Sequence, residues 1–443
     1  MSANLLLIGK SGAMAARAAL DLTAQNIANA GNPDYARRTL SMAEVAAKGG
    51  ITMQQDVGLS GVRPDRVLRS DSLFLHNEAR RTSGDVARAD AELAGLTNAE
   101  TSIEQAGIYT AIVDFEASLS RLAADPLDGA LRSAVVEGGD RLAQTFRIAG
   151  NGLDIAEADL RFNADAGVEQ LNLLSGELAR TNAGIARARP GSSNMAALFD
   201  QRDALLRDMA QLAGVRTQLD AMGRAAVSLD GQPLVTGVDS FALAVAANPD
   251  GTLGFTVGGT AVELDAGSLL GASQALRGIA ELRTQLDGLT AQVINLANTA
   301  QANGIAPDGT QGQPFFSGSG ASDIALALTG GNQIATAPAG SGVDSRNIGN
   351  LQALRDALAV NGPASSADTL LFNLSSAIGS RTITRDALRT IADSAGVALS
   401  AETGVDLDRE ATELLRYQQA FQANGRVIQA AADIFDTILG IGR

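Results

Sequence analysis

The chain carries a seven-residue apolar repeat at each end. Leu6, Ala13, Leu20 and Ile27 recur at that interval near the N-terminus, and Leu407, Leu414, Phe421, Ile428 and Phe435 do so near the C-terminus. A heptad period keeps one face of a helix turned toward a partner helix. Two such stripes at opposite ends of one chain predict that the ends come together as a coiled-coil-like pair. By periodicity alone the stripes fit a core face and a contact surface for other subunits equally well. A single terminal helix is marginal in water, because helix nucleation is costly. Both ends are therefore expected to be mobile in the free monomer and to order on assembly.

The rest of the chain fits between those ends as nested segments. Residues 3 to 30 read as one helix, stopped by Gly31-Asn32-Pro33, since proline disfavours helix in the residue before it. Strand-like Val57, Leu59 and Val62 follow among glycines. A helical pattern then runs from Leu73 to about Leu122, with further helices at about 128–160, 165–189 and 195–213. Between about 215 and 268 the period changes to alternation, with Phe241, Leu243 and Val245 before Asn248-Pro249-Asp250-Gly251 and Leu253, Phe255 and Val257 after it. Proline presets that turn and glycine supplies its positive φ, so the segment predicts a hairpin. Val227 and Leu229 predict another strand. Helix resumes at about 268 with Leu282, Leu286, Leu289, Val293 and Leu296 at three-four spacing. Ile324, Leu326 and Leu328 predict a strand after a Gly/Ser-rich stretch, and helices occupy much of 348–398. The expected fold is mainly α with a small β insert. Its nested discontinuous domains are a terminal-helix unit (1–70 plus 400–443), a helical-bundle body (71–214 plus 268–399) and a β-rich outer domain (215–267).

Composition narrows the chemistry. A net charge of -15 argues against nucleic acid or an anionic membrane as partner, because both favour an excess of Lys and Arg. No apolar run reaches the ~20 residues needed to cross a bilayer. Leu5-Leu6-Leu7-Ile8 is too short for a signal-peptide core, and no small-residue cleavage site follows it. The chain has no cysteine and one histidine, His76, so neither a zinc site nor a Ser/His/Asp nucleophile is expected. His76 reads as a surface or half-buried structural residue. Gly9-Lys10-Ser11 imitates the end of a phosphate-binding loop, but Asn4 stands where its first glycine belongs and no strand precedes it. Asp200 and Asp203, which flank Gln201-Arg202, are better suited to ion pairing than to acid–base catalysis. No catalytic residue, metal ligand or cofactor-binding residue is expected.

The motifs flanking the stripes carry a resemblance. Asn26-Ile27-Ala28-Asn29-Ala30-Gly31-Asn32-Pro33-Asp34-Tyr35-Ala36-Arg37-Arg38 resembles the N-terminal signature of bacterial flagellar axial proteins, with Asn32 and Asp34 in place of the usual Thr and Gly. Near the other end, Arg416-Tyr417-Gln418-Gln419-Ala420-Phe421 resembles the hook-associated protein 1 family. So do Leu198-Phe199-Asp200-Gln201-Arg202-Asp203, and Gly312 with Phe315 and Phe316. The family motif residues are thus Asn26, Asn29, Pro33, Tyr35, Arg37, Asp200, Gln201, Arg202, Asp203, Arg416, Tyr417 and Gln418.

The resemblance implies a structural adaptor of the hook–filament junction, without enzymatic activity. Such proteins leave the cell through the flagellar type III export apparatus without a cleaved signal and assemble with copies of themselves as a ring in the axial tube. The partners implied are the hook protein, the second junction protein and an export chaperone on the C-terminal helix, with no nucleic acid and no membrane insertion. The location implied is extracellular, in the flagellum. A hook or distal-rod protein would share the N-terminal signature. A cell-wall hydrolase riding on the axial structure would need a poised acid pair or a metal site, and neither stands out.

Overall fold

The computed structural model describes residues 2–45, 61–248, 250–360 and 362–441. The proposed strand residues Val57 and Leu59, and Pro249 of the hairpin turn, lie outside these.

Helix α1 (Ser2–Ala28) opens the chain and β1 (Arg38–Glu44) pairs antiparallel with β2 (Val62–Arg69). The turn between α1 and β1 is built by Asn32, whose Oδ1 accepts the Asp34 N–H at 3.0 Å and whose carbonyl accepts that of Tyr35 at 3.1 Å. The body begins with α2 (Leu73–Ala106), capped by the Ser72 hydroxyl. The continuous helix expected to Leu122 is instead two helices. Gly107 takes φ +74 and donates its N–H to the Glu104 carbonyl, which ends α2, and α3 (Ile108–Leu122) starts in a new direction.

The opposite correction applies to the two helices expected over 128–160 and 165–189. They are one helix, α4 (Gly129–Arg187), 59 residues long and so about 90 Å from end to end. No proline interrupts it, and Leu160, Ala164 and Val168 carry its buried face through the expected gap. Next come α5 (Ser193–Leu212), α6 (Ser268–Asn303), α7 (Gly349–Ala359) and α8 (Pro363–Thr403). A T-shaped aromatic cluster anchors the core of the body, with the Phe115 ring 5.4 Å from Phe315 and 6.0 Å from Phe316. Gly139 leaves room for it: a Cβ there would lie 2.5 Å from Phe315.

The β insert is two antiparallel sheets. One holds β3 (Arg216–Leu219), β4 (Ala225–Leu229), β5 (Gln232–Thr236) and β6 (Asp239–Ser240) in that order. The other holds β7 (Leu243–Ala247), β8 (Leu253–Val257) and β9 (Thr260–Val262). Val227 and Leu229 face inward from β4, and Leu253, Phe255 and Val257 from β8; Phe241 precedes β7 and is exposed. Two asparagines of α4 hold the sheets. The Asn182 amide bridges Ala225 and Gly237, and the Asn172 amide brackets the Leu243 backbone. Beyond the insert, β12 (Ala325–Leu326) forms a short pair with β11 (Phe316–Ser317), and β10 (Gly304–Ile305) pairs with β13 (Ala337–Pro338).

Helix α8 packs along α2 and returns the chain to the β1–β2 ribbon, where the Thr403 carbonyl accepts the Arg37 N–H at 2.7 Å. From there α9 (Leu407–Ile441) starts on an Asp406 cap, which accepts the N–H of Asp408 at 2.9 Å. It then runs antiparallel along α1, placing Glu410 beside Asn26, Asn424 beside Gly12 and Ile428 beside Gly9.

Candidate assembly interface

The seam between α1 and α9 is made of small residues. On α1 it follows Gly9, Gly12, Ala16, Ala19, Thr23 and Asn26, at alternating intervals of three and four. A Cβ on Gly9 would lie 2.8 Å from Ile428 Cγ1, and one on Gly12 2.2 Å from Asn424 Oδ1. The glycine in the phosphate-loop look-alike is therefore a packing residue. On α9 the buried positions are Glu410 and Ala431.

This seam shares Ile428 with the stripe that large apolar residues draw in the sequence, but most of that stripe lies beside it. Leu6 is exposed, while Ala13, Leu20 and Ile27 are half-buried at the flank. On α9, Leu414 and Ile428 are half-buried, whereas Leu407, Phe421 and Phe435 keep 54%, 43% and 53% of their surface. The ends pair within one chain, with several of the heaviest apolar side chains left facing outward.

At its lower end the pair is fastened to the body by a buried polar network that unites both sequence motifs. Asn26, 1% exposed, uses its whole amide. Its Nδ2 donates to the Arg38 carbonyl at 2.8 Å and to Glu410 Oε2 at 2.9 Å, and its Oδ1 accepts the Tyr35 hydroxyl at 2.7 Å and the Arg38 N–H at 3.1 Å. Arg37 Nε donates to the other oxygen of Glu410 at 2.6 Å. Arg38 stacks over the Tyr35 ring, 4.6 Å from its centroid, and donates to Asp200. Burial pushes the Tyr35 phenol above its ordinary pKa, although the Arg38 charge pulls the other way.

On the body side, Asp200 also accepts Arg69 Nε at 2.7 Å. Asp203 accepts Arg69 Nη2 at 2.8 Å and Arg202 Nη2 at 2.7 Å, and Arg202 continues to the Gly223 carbonyl at the edge of the β insert. Burial disfavours the Arg69 charge, but Asp203 and Asp200 outweigh it and raise its pKa. These are charge-assisted hydrogen bonds in a dry setting, where geometry is strongly enforced. The chemistry they perform is fastening.

The remaining motif residues lie outside this network. Gln201 points outward to Glu177, and Asn29 hydrogen-bonds the Gln25 carbonyl at the end of α1. Pro33 is exposed in the turn. On α9, Arg416 packs on Tyr417, and Gln418 is exposed. Sequence reasoning missed Arg69, Glu410 and the seam glycines. Glu410 has a local signal, an acidic residue in the first turn of a helix, but such residues usually serve the helix dipole on the surface.

His76 is half-buried, with Nε2 3.2 Å from Asp71 and 3.8 Å from Asp203. These three form the one potential metal-ligand grouping among the described residues. Arg69 already engages both carboxylates. Burial pushes the Asp71 carboxyl up, but the neighbouring His76 and the Arg69 charge outweigh it and leave its pKa lowered.

Paired chain ends bolted by buried ion pairs to a long-helix body define a helical structural protein whose two termini form a single unit. Comparison with known proteins makes the class specific. The family model for the flagellar hook-associated protein FlgK helical domain matches residues 94–316, and that for the flagellar basal body rod FlgEFG protein C-terminal matches residues 401–441. The flagellar hook-associated protein 1 of Bacillus subtilis (strain 168) is 24% identical, covering 97% of this chain and 96% of its own length. That of Escherichia coli (strain K12) is 28% identical over 69% of this chain and 58% of its own. The solved flagellar hook junction protein FlgK from Burkholderia pseudomallei is similar with a TM-score of 0.50 and 25% identity, over 54% of this chain and 46% of that one. The chain belongs to the FlgK family of flagellar hook-associated proteins.

Proposed function

We propose that the protein is a structural adaptor joining the flagellar hook to the filament, and that it self-assembles through its terminal helices after type III export. One observation carries the assembly step. After α1 and α9 have packed together, Leu5, Leu6 and Leu7 on α1 and Leu407, Leu415, Phe421, Ile434 and Phe435 on α9 are still exposed. Burying each such side chain contributes about 1.5–3 kcal/mol, so a few of them shared between copies hold a ring together. In this reading Leu6, Ala13, Leu20 and Ile27 with Leu407, Leu414, Phe421, Ile428 and Phe435 form the assembly interface. The terminal unit (1–70 plus 400–443) lines the tube, the body (71–214 plus 268–399) surrounds it, and 215–267 lies outermost. The hook protein and the second junction protein are the neighbours along the axis. Before export, the apolar face of α9 suits a chaperone groove, which reads an amphipathic helix by its three-four anchors.

Deleting the gene and imaging the cells tests the role. The expected cells carry hooks without filaments and shed filament subunits into the medium. Missing hooks would instead favour a hook or distal-rod protein, a reading that draws on the rod-protein match over 401–441. The interface has its own test in the double variant Phe421→Asp/Phe435→Asp. Because both rings are exposed in the monomer, the purified variant should keep the parent's circular dichroism and melting profile. It should nonetheless fail to restore filaments to the deletion strain. Full restoration of motility would remove these residues from the interface.

A further inference from the structure

A second polar site lies away from the terminal pair, in a cleft of about 490 Å³ between α2, the end of α5, β3 and the segment before α6. Its walls carry Arg80, Arg81 and Arg216 with Asp85 and Asp265. Arg81 is engaged by Glu78 and Asp85, and Arg216 approaches Asp265 only to 3.9 Å.

Arg80 stands apart from the other deeply buried arginines. Arg38 and Arg202 each hold a carboxylate. Arg132 has none, but it donates to the carbonyls of Pro126, Gly331 and Ile334 and to the Thr336 hydroxyl. Arg80 is 7% exposed and donates only to the Asn77 side chain. No carboxylate lies within ion-pair distance of it among the described residues. Burial pulls its pKa below the ordinary value, with Asp203 and Asp71 opposing and Arg202 reinforcing that shift.

A buried guanidinium with no carboxylate in contact is costly, and its planar fork of N–H donors matches an oxyanion. We propose that this cleft is an oxyanion-binding site, with Arg80 as its principal ligand. Arg81 and Arg216 have carboxylates of their own, so the one guanidinium left over fits a single anionic group. Two sources offer that chemistry: free phosphate, and the carboxylate of an acidic protein segment.

Calorimetric titration of the full chain with inorganic phosphate and, separately, with a short glutamate-containing peptide distinguishes the sources, with sodium chloride at matched ionic strength as the blank. The expected result is saturable binding of one of the two probes. Arg80→Gln should weaken it by about tenfold or more, as expected for the loss of a charge-assisted hydrogen bond. Arg80→Lys, which keeps the charge but not the planar fork, should weaken it less and serves as the test if Arg80→Gln does not fold. Phosphate binding identifies a free-anion site, and peptide binding alone identifies a docking site for an acidic segment. The proposal is overturned if neither probe binds above the chloride blank, or if the variants bind as the parent does.

Discussion

Replacing Asp200 by alanine is expected to destabilise the protein by about 3–5 kcal/mol, the cost of leaving buried charge uncompensated. Two guanidinium groups, those of Arg38 and Arg69, converge on this one carboxylate. Arg69 keeps Asp203 when Asp200 is removed, but Arg38 has no other carboxylate partner among the described residues. The loss should appear in chemical denaturation as an early transition that releases α1, β1, β2 and α9 while the body persists. Gln201→Ala is the control. Its exposed side chain lies one residue away and points outward to Glu177, so its cost should stay within about 0.5 kcal/mol. Equal effects from the two substitutions would show that the buried network does not fasten the ends to the body.

The second large effect is expected from Gly12→Leu. Two terms oppose each other. Leucine raises the helix propensity of α1 by about 1 kcal/mol relative to glycine. A side chain at this position meets Asn424, where even a Cβ is too close at 2.2 Å, and such overpacking typically costs about 1–3 kcal/mol. Leucine's further carbons put the result toward the upper end, so loss of pairing wins. Amide exchange through 410–431 of α9 should accelerate, and the variant should not restore filaments to a deletion strain. An α1 peptide carrying the same change should be more helical than the parent peptide. Unchanged exchange in α9 would mean that the two helices do not depend on close approach at Gly12.

Most of the element map was legible from residue patterning. The change from a 3.6 to a 2 period located the β insert, and Gly404 correctly marked the break before α9. The errors have physical causes. Gly107 breaks a helix only because its backbone takes positive φ, while Gly138 and Gly139 sit unbroken inside α4. Glycine alone does not distinguish the two cases. The stripes leave core face and contact surface open and overlook the seam glycines, because hydrophobic weight favours Leu and Phe, whereas two helices in close contact need residues with little side chain. The joint was half legible. Asn26, Tyr35, Arg37, Asp200, Arg202 and Asp203 stood out as motif residues, but nothing in their spacing ties them to Arg69 or Glu410, which only the fold brings within reach.

The hydrogen bond between Asn26 and Glu410 joins residues 384 positions apart. Whichever end of the chain folds first, this bond cannot close until nearly all of the polypeptide has arrived. A chain that stops short of Glu410 leaves one Nδ2 hydrogen of Asn26 and the Arg37 Nε–H without their carboxylate, and takes from α1 the helix it lies along. The clasp therefore marks that the chain has been made through Glu410, and the length of α9 beyond it is registered only by pairing along α1. A polymer built through this terminal pair, as proposed above, would be guarded against fragments lacking Glu410 by the order in which its own bonds can form.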